Sequence, residues 1–464
     1  MYKIIKKQTL LLVALLMTVS MFARQAKYVF YFIGDGMGLA QVNNTEYYLS
    51  QKEGKLGTTP LCFASFPYTG FANTFSANSN VTDSSAAGTA LASGHKTNNG
   101  MMGQLPDGSP VLSVATWAKA AGHRVGITTN VGINHATPAA FYAHRPSRND
   151  YYEIGVQLAE SGFDFFGSGD FINATPADKT SLYDVAEEHG YVIARGKADY
   201  DAKKNNAKKM ILFFDRPTSG SMPLSLDAKE GELNQKEITE CAIDFLMKKN
   251  RKGFFLMVEG GMIDQAGHAN DAASNIHEVL ALDEAVKVAY DFYKKHKNET
   301  LIVITSDHET GGLSLNGSTV GRLAHQKCSM QGFSRVLNAL RHEKKDKVAW
   351  EDVKAALQEH FGFWTELRMS HEDEMALYEE WYQSFASNRE VKMAESLYFR
   401  DEPLSALAVR ILNRQAGIGW TTGGHSGIAV PVFAIGVGAE QFTGQYDNTE
   451  ICKKIAKAAG YKMK

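Results

Sequence analysis

Four cysteines in 464 residues, Cys62, Cys241, Cys328 and Cys452, are too few and too widely spaced for a disulfide-knit fold, and none forms a Cys-x-x-Cys pair or a zinc ribbon. They are compatible with one bridge or with buried free thiols, and their spacing names no pair. An excess of one charge is also missing: 49 Lys and Arg stand against 51 Asp and Glu, a formal net charge of -2. With no basic run after the N-terminus, nothing points to nucleic acid as a specific partner. No segment after residue 23 is apolar over the roughly 20 residues that a membrane span needs. No internal repeat or low-complexity segment is present. Hydrophobic residues at 44% and charged residues at 22% are ordinary globular values, which exclude disordered, collagen-like and coiled-coil classes.

Residues 1–23 differ from the rest of the chain. Lys3, Lys6 and Lys7 precede an apolar stretch at 10–19, and Ala23 offers a small residue for cleavage, the pattern of a secretory signal peptide. Its removal would take the formal charge from -2 to -5 and leave no membrane span. No cysteine near the junction suggests lipid attachment. The mature chain, 24–464, is expected to be exported, to the periplasm before the medium.

Short apolar runs at 28–33, 125–128, 210–214, 254–258, 301–305 and 432–437 each alternate with helical patterning. Such runs read as strands buried on both faces, and the alternation predicts an α/β fold: a large central, mostly parallel sheet with helices on both faces. Ligands in that architecture bind beyond the carboxyl ends of the strands. From about 326 to 415 the texture changes to amphipathic helices, with Val353, Ala356, Leu357 and Phe361 on one stripe and Leu377, Trp381 and Phe385 on another, after a Ser370 cap. This region reads as a helical insertion whose stripes are core.

The polar clusters fall at the strand ends. Asp35 stands after the first strand between glycines, in Ile33-Gly34-Asp35-Gly36-Met37-Gly38, and the spacing fails the dinucleotide fingerprint. Glu259, Asp264 and His268 come after another strand, with Asp264 and His268 on one face of a helical turn, a donor mixture that suits zinc. Asp307 and His308 end the 301–305 run, and His425 stands on a glycine-flexed loop. Each is weak alone. Together they supply three aspartates and three histidines, enough for two divalent ions with open positions. Asp83-Ser84-Ser85 before Ala86-Ala87-Gly88 reads as the start of a small-residue helix, where free N–H groups favour an alkoxide or a phosphoryl oxygen.

On these motifs, with Thr137-Pro138-Ala139-Ala140 and Arg148 after it, and with Asp307-His308-Glu309-Thr310-Gly311-Gly312 and Gly423-Gly424-His425, the chain resembles the alkaline phosphatase family from about residue 27 to its C-terminus. The resemblance implies that Ser84 is the nucleophile and that Arg148 clamps the phosphoryl group. It further implies one zinc on Asp264, His268 and His425, a second on Asp35, Asp307 and His308, and a magnesium shared by Asp35, Thr137 and Glu259. The reaction would be hydrolysis of phosphate monoesters through a phosphoseryl intermediate, and family members are commonly homodimers. His135 stands where some bacterial members have aspartate, and Gln265 where lysine or histidine is usual. Weaker retention of product phosphate and a need for added magnesium are the expected results. A phosphodiesterase on the same metals is the alternative, disfavoured by Arg148, Thr137 and Glu259; a sulfatase lacks its nucleophile pattern, and a non-catalytic binding protein would not need every ligand and the serine.

Overall fold

Strand β1, Tyr28–Gly34, is buried along its whole length, and its alternating side chains feed two cores: Val29, Tyr31 and Ile33 on one face, Tyr28, Phe30 and Phe32 on the other. A strand apolar at both parities needs cover on both sides, which places it at the centre of a sheet. The computed structural model describes residues 25–463 apart from 249, 318, 346 and 388–390. The segment read as a signal peptide lies outside the described residues.

Besides β1, the main sheet contains β2 (Tyr68–Asn73), β3 (Arg124–Thr129), β4 (Phe165–Ser168), β5 (Tyr191–Arg195), β6 (Lys209–Phe213), β7 (Phe254–Gly260), β8 (Thr300–Thr305), β15 (Val430–Gly436) and β16 (Gly444–Asp447). Its ten strands lie in the order β16-β2-β15-β8-β1-β7-β3-β4-β6-β5. Every pairing is parallel except those of β15 with β8 and β2, so one strand runs against the rest. The six expected runs are all strands. Strands β2, β4, β5 and β16 were not read from the sequence, because they are short or, like β2 and β16, carry exposed positions that break an apolar run.

Three small antiparallel pairs complete the strands: β9 (Glu309–Thr310) with β14 (His425–Ser426), β10 (Leu313–Leu315) with β13 (Ile418–Trp420), and β11 (Ala394–Glu395) with β12 (Arg400–Asp401). In the region at 326–415 the helices Met330–Lys344, Trp350–Phe361, His371–Trp381 and Pro403–Gln415 share a third core. Val353, Leu357, Phe361 and Leu377 lie inside it, together with Tyr48 and Ile276 from two helices that also flank the sheet. Ser370 caps its helix as read, accepting the Asp373 N–H at 3.1 Å. All four cysteines are free, so the structure contains no bridge among them.

Candidate active site

Register explains why carboxylates far apart in sequence meet. On β1, Ile33 pairs with Glu259 of β7 and with Thr305 of β8, and Glu259 also faces Thr129 of β3. Asp35 and Asp307 therefore stand at one level, two residues beyond that of Glu259, at the carboxyl ends of three adjacent strands. Gly36 comes next after Asp35 with φ +72°, and a Cβ there would stand 2.9 Å from the Asp264 Cα, so the turn after β1 admits the helix that follows β7, Met262–His268, only because the side chain is absent.

Two groups of donors converge. His268 Nε2 lies 3.3 Å from Asp264 Oδ1 and 3.2 Å from His425 Nε2, and His425 Nε2 lies 3.7 Å from the same carboxylate oxygen. His308 Nε2 lies 3.4 Å from Asp35 Oδ1 and 3.2 Å from Asp307 Oδ2. The two groups touch, since the rings of His308 and His425 stack with centroids 3.5 Å apart. The β9–β14 pair holds them together: the buried Glu309 accepts from Gln41, Leu313 N–H, Gly312 N–H and Ser426.

The backbone fixes the tautomers. His425 Nδ1 sits 2.8 Å from the Thr82 carbonyl and His268 Nδ1 2.6 Å from the Gly423 carbonyl, and a carbonyl can only accept. Both Nδ1 atoms therefore carry protons, and in the neutral rings both Nε2 lone pairs face the cluster. That is how protein scaffolds present imidazole to a metal. A third group joins Asp35, Glu259 and a ring nitrogen of His135, with ligand atoms within 4.8 Å of one another, and Thr137 Oγ1 donates to Asp35 Oδ2 at 3.2 Å. His135 thus belongs to this group itself, where the sequence had set it beside the site.

The donors fit cations and little else. Asp35 Oδ1, both Glu259 carboxylate oxygens, Asp264 Oδ2, Asp307 Oδ2 and His135 Nδ1 are buried without a hydrogen-bond partner. Buried carboxylates left alone resist ionisation. Burial, reinforced by neighbouring carboxylates, pushes Asp35 and Asp307 well above the usual range and Glu259 to about 7. Burial also pulls Asp264 upward, but the positive charge of His268, His425 and His308 in their protonated forms overcomes it and holds Asp264 below the usual range. Burial and then Arg148 hold His135 down at about 3. Oxygen with imidazole nitrogen in the first two groups suits zinc, and the oxygen-rich third group suits a harder ion.

Ser84 is the first residue of the helix Ser84–Ser93, fully buried, with Oγ 3.2 Å from His308 Nε2. Asp83 is the N-cap, accepting from Ala86 N–H at 3.0 Å, Ser85 Oγ at 2.6 Å and Gly100 N–H at 3.0 Å. The same carboxylate accepts from Arg148 Nη1 at 3.1 Å, which sets the guanidinium beside the serine. Burial works against the charge of Arg148, but the carboxylates of Asp83 and Asp35 outweigh it and keep the group a cation. Gln265 points away from the cluster and donates to Ser221 Oγ at 3.3 Å.

One residue carried no signal in the sequence. Tyr398, between β11 and β12, brings its hydroxyl to 3.5 Å from His135 Nε2 and its ring to 5.4 Å from that of His268. Arg148 Nη2 lies 3.2 Å from the same His135 nitrogen. Nothing in Ser396-Leu397-Tyr398-Phe399 marks a site, because only the packing of the helical region delivers it there.

A family model described as alkaline phosphatase matches residues 26–171 and 173–461. The chain is 32% identical over 453 residues to alkaline phosphatase 3 of Bacillus subtilis, covering 95% of this chain and 90% of that one. The structure is similar to that of the cold-active alkaline phosphatase of a psychrophilic Shewanella species, with TM-score 0.76 and 26% identity over 93% of this chain and 99% of the other. It is equally similar to that of Thermus thermophilus alkaline phosphatase, with TM-score 0.76 and 27% identity over 95% and 92%. A variant of the alkaline phosphatase of the Antarctic bacterium TAB5, with TM-score 0.67 and 27% identity over 95% and 99%, has magnesium bound in its M3 site.

Proposed function

The chain belongs to the alkaline phosphatase family and is an enzyme of phosphate-monoester hydrolysis, and from that premise we propose that it works through a phosphoseryl intermediate on Ser84. The observation that carries this reading is the buried Ser84 hydroxyl at a helix N-terminus, 3.2 Å from His308 and bordered by carboxylate oxygens with no other partner. Asp264, His268 and His425 would hold one zinc, Asp35, Asp307 and His308 a second, and Asp35, Glu259 and Thr137 a magnesium, with His135 as an added donor. When bound, these ions neutralise a phosphate dianion and lower the pKa of the groups that attack and leave.

The chain's own groups do the rest. The Ser84–Ser93 helix aims its first N–H groups and positive end at the phosphoryl oxygens. Arg148, steadied by Asp83, offers a planar fork to two of those oxygens. Ser84 forms the bond to phosphorus as the ester oxygen departs, and water then displaces the serine, so configuration at phosphorus is retained. A nitrogen donor from His135 suits magnesium less well than a carboxylate, and Gln265 brings no positive charge. Both features support a need for added magnesium and rapid release of product phosphate.

Turnover of an aryl phosphate monoester against the matching diester tests this, on residues 24–464 with zinc and magnesium supplied. A monoester preference of several orders of magnitude at alkaline pH is expected. Comparable or reversed rates would favour the diesterase alternative. Export rests on residues 1–23, and a secreted product starting at Arg24 is its test.

A further inference from the structure

A cleft of about 650 Å³ opens beside the site, and its lining changes character from the inside outward. At its buried end are His135 and Gln265, each 5% exposed, with Tyr398. At its exposed mouth are three cations, Arg216, Lys229 and Arg335. The wall between is partly apolar: Phe399 packs on a small cluster of Val131, Leu224, Met262 and Ala266. The volume is of the size that small-molecule sites occupy.

The cations are not fully offset. Arg216 pairs with Glu232, and Arg335 donates to Asp227 Oδ2 at 2.8 Å. Asp227, the one acid among the lining residues, also accepts from Ser329 N–H at 2.9 Å and from Ser329 Oγ at 2.5 Å. Among the described residues Lys229 forms no ion pair, so the mouth keeps a positive charge in a chain whose formal net charge is -2. Such a field draws in any phosphate dianion, and it discriminates among esters where part of the substrate beyond the ester oxygen is also negative.

We propose that this cleft is the subsite for the alcohol part of the ester and that it selects phosphate monoesters whose alcohol carries a second anionic group, a carboxylate or a further phosphate. The proposal rests on the monoesterase function proposed for the Ser84 site. The phosphoryl group would lie at Ser84, beyond the His135 end of the cleft, the carbon skeleton would pass between Gln265 and the Tyr398-Phe399 tip, and the distant anion would meet Lys229 and Arg335.

Two open-chain substrates isolate the effect: sorbitol 6-phosphate and 6-phosphogluconate, which differ only in a hydroxymethyl or a carboxylate at the far end. At low ionic strength the wild-type enzyme should favour 6-phosphogluconate about fivefold to tenfold in kcat/KM, the size expected of one or two half-exposed charge contacts. The ratio should fall toward one as salt is raised to about 0.5 M, because these contacts face solvent. In the Lys229→Glu, Arg335→Ala double variant, and in Lys229→Glu alone, the ratio should drop to about one or below. A wild-type ratio near one, or a preference that survives Lys229→Glu, overturns the subsite. Failure of the wild-type enzyme on p-nitrophenyl phosphate as well would instead overturn the monoesterase function beneath it.

Discussion

Among the described residues the acid or base hydrogen-bonded to the Ser84 hydroxyl is His308, whose Nε2 is 3.2 Å away and also faces Asp35 and Asp307. In the proposed site that nitrogen is a metal ligand, so the serine depends on the cations for activation. Ser84→Ala should lower kcat/KM for an aryl monoester by about a thousandfold or more while metal content, measured by elemental analysis, stays unchanged. A second residue tests stability apart from activity. His123 stacks edge-on against Tyr461 at 5.0 Å, and its Nδ1 is buried without a partner. Burial, then Lys252, holds its pKa down at about 4, against 6.5 in the unfolded chain. Between those values the unfolded chain takes up a proton that the folded one refuses. Stability present above pH 6.5 is therefore lost as pH falls toward 4. His123→Phe keeps an aromatic ring on Tyr461 and removes the proton site. Its melting temperature, followed by calorimetry, should decline less than the wild type's between pH 7 and pH 5.

Elements turn these residues into a site. The Ser84–Ser93 helix is built of small residues, all buried, so it can approach its neighbours closely; a Cβ on Gly88 would stand 3.2 Å from Ala140 and 3.3 Å from the Thr137 Cα. Asp83 joins the start of this helix to the loops carrying Gly100 and Arg148. Asp83→Ala removes an N-cap, which costs about 1 kcal/mol, and frees the guanidinium. A lower melting temperature together with a weaker inhibition constant for inorganic phosphate is expected, and Asp83→Asn should recover part of the stability but less of the phosphate affinity. The β9–β14 pair acts similarly for the histidines, since it places His425 opposite Thr310, two residues beyond His308.

At the scale of the molecule, the sheet gathers Asp35, Glu259, Asp264 and Asp307 in one buried volume, an arrangement that opposes folding unless cations offset it. Chelator-treated protein should melt lower, and zinc with magnesium should restore it; an ion at about a thousand times its Kd adds about 4 kcal/mol. Magnesium added to zinc-loaded protein should raise activity further, and no response would count against the role given to His135. Much of this was legible in the sequence. Each apolar run of β1, β3, β6, β7, β8 and β15 is a local pattern, and the donors at Asp35, Glu259, Asp307 and His425 each stand at a strand end or glycine turn that the sequence displays. Strand type, helix caps and motif chemistry depend on neighbours a few residues away, so the sequence by itself determined the α/β class and the family and displayed most of the candidate donors at strand ends. Register and packing depend on segments hundreds of residues apart. The tertiary structure alone decided that β15 runs against the sheet and that the four cysteines stay unpaired. It alone placed a ring nitrogen of His135 with Asp35 and Glu259, and carried Tyr398 from the helical region to the edge of the site, because non-local hydrogen-bond registry and close packing leave no periodic trace along the chain.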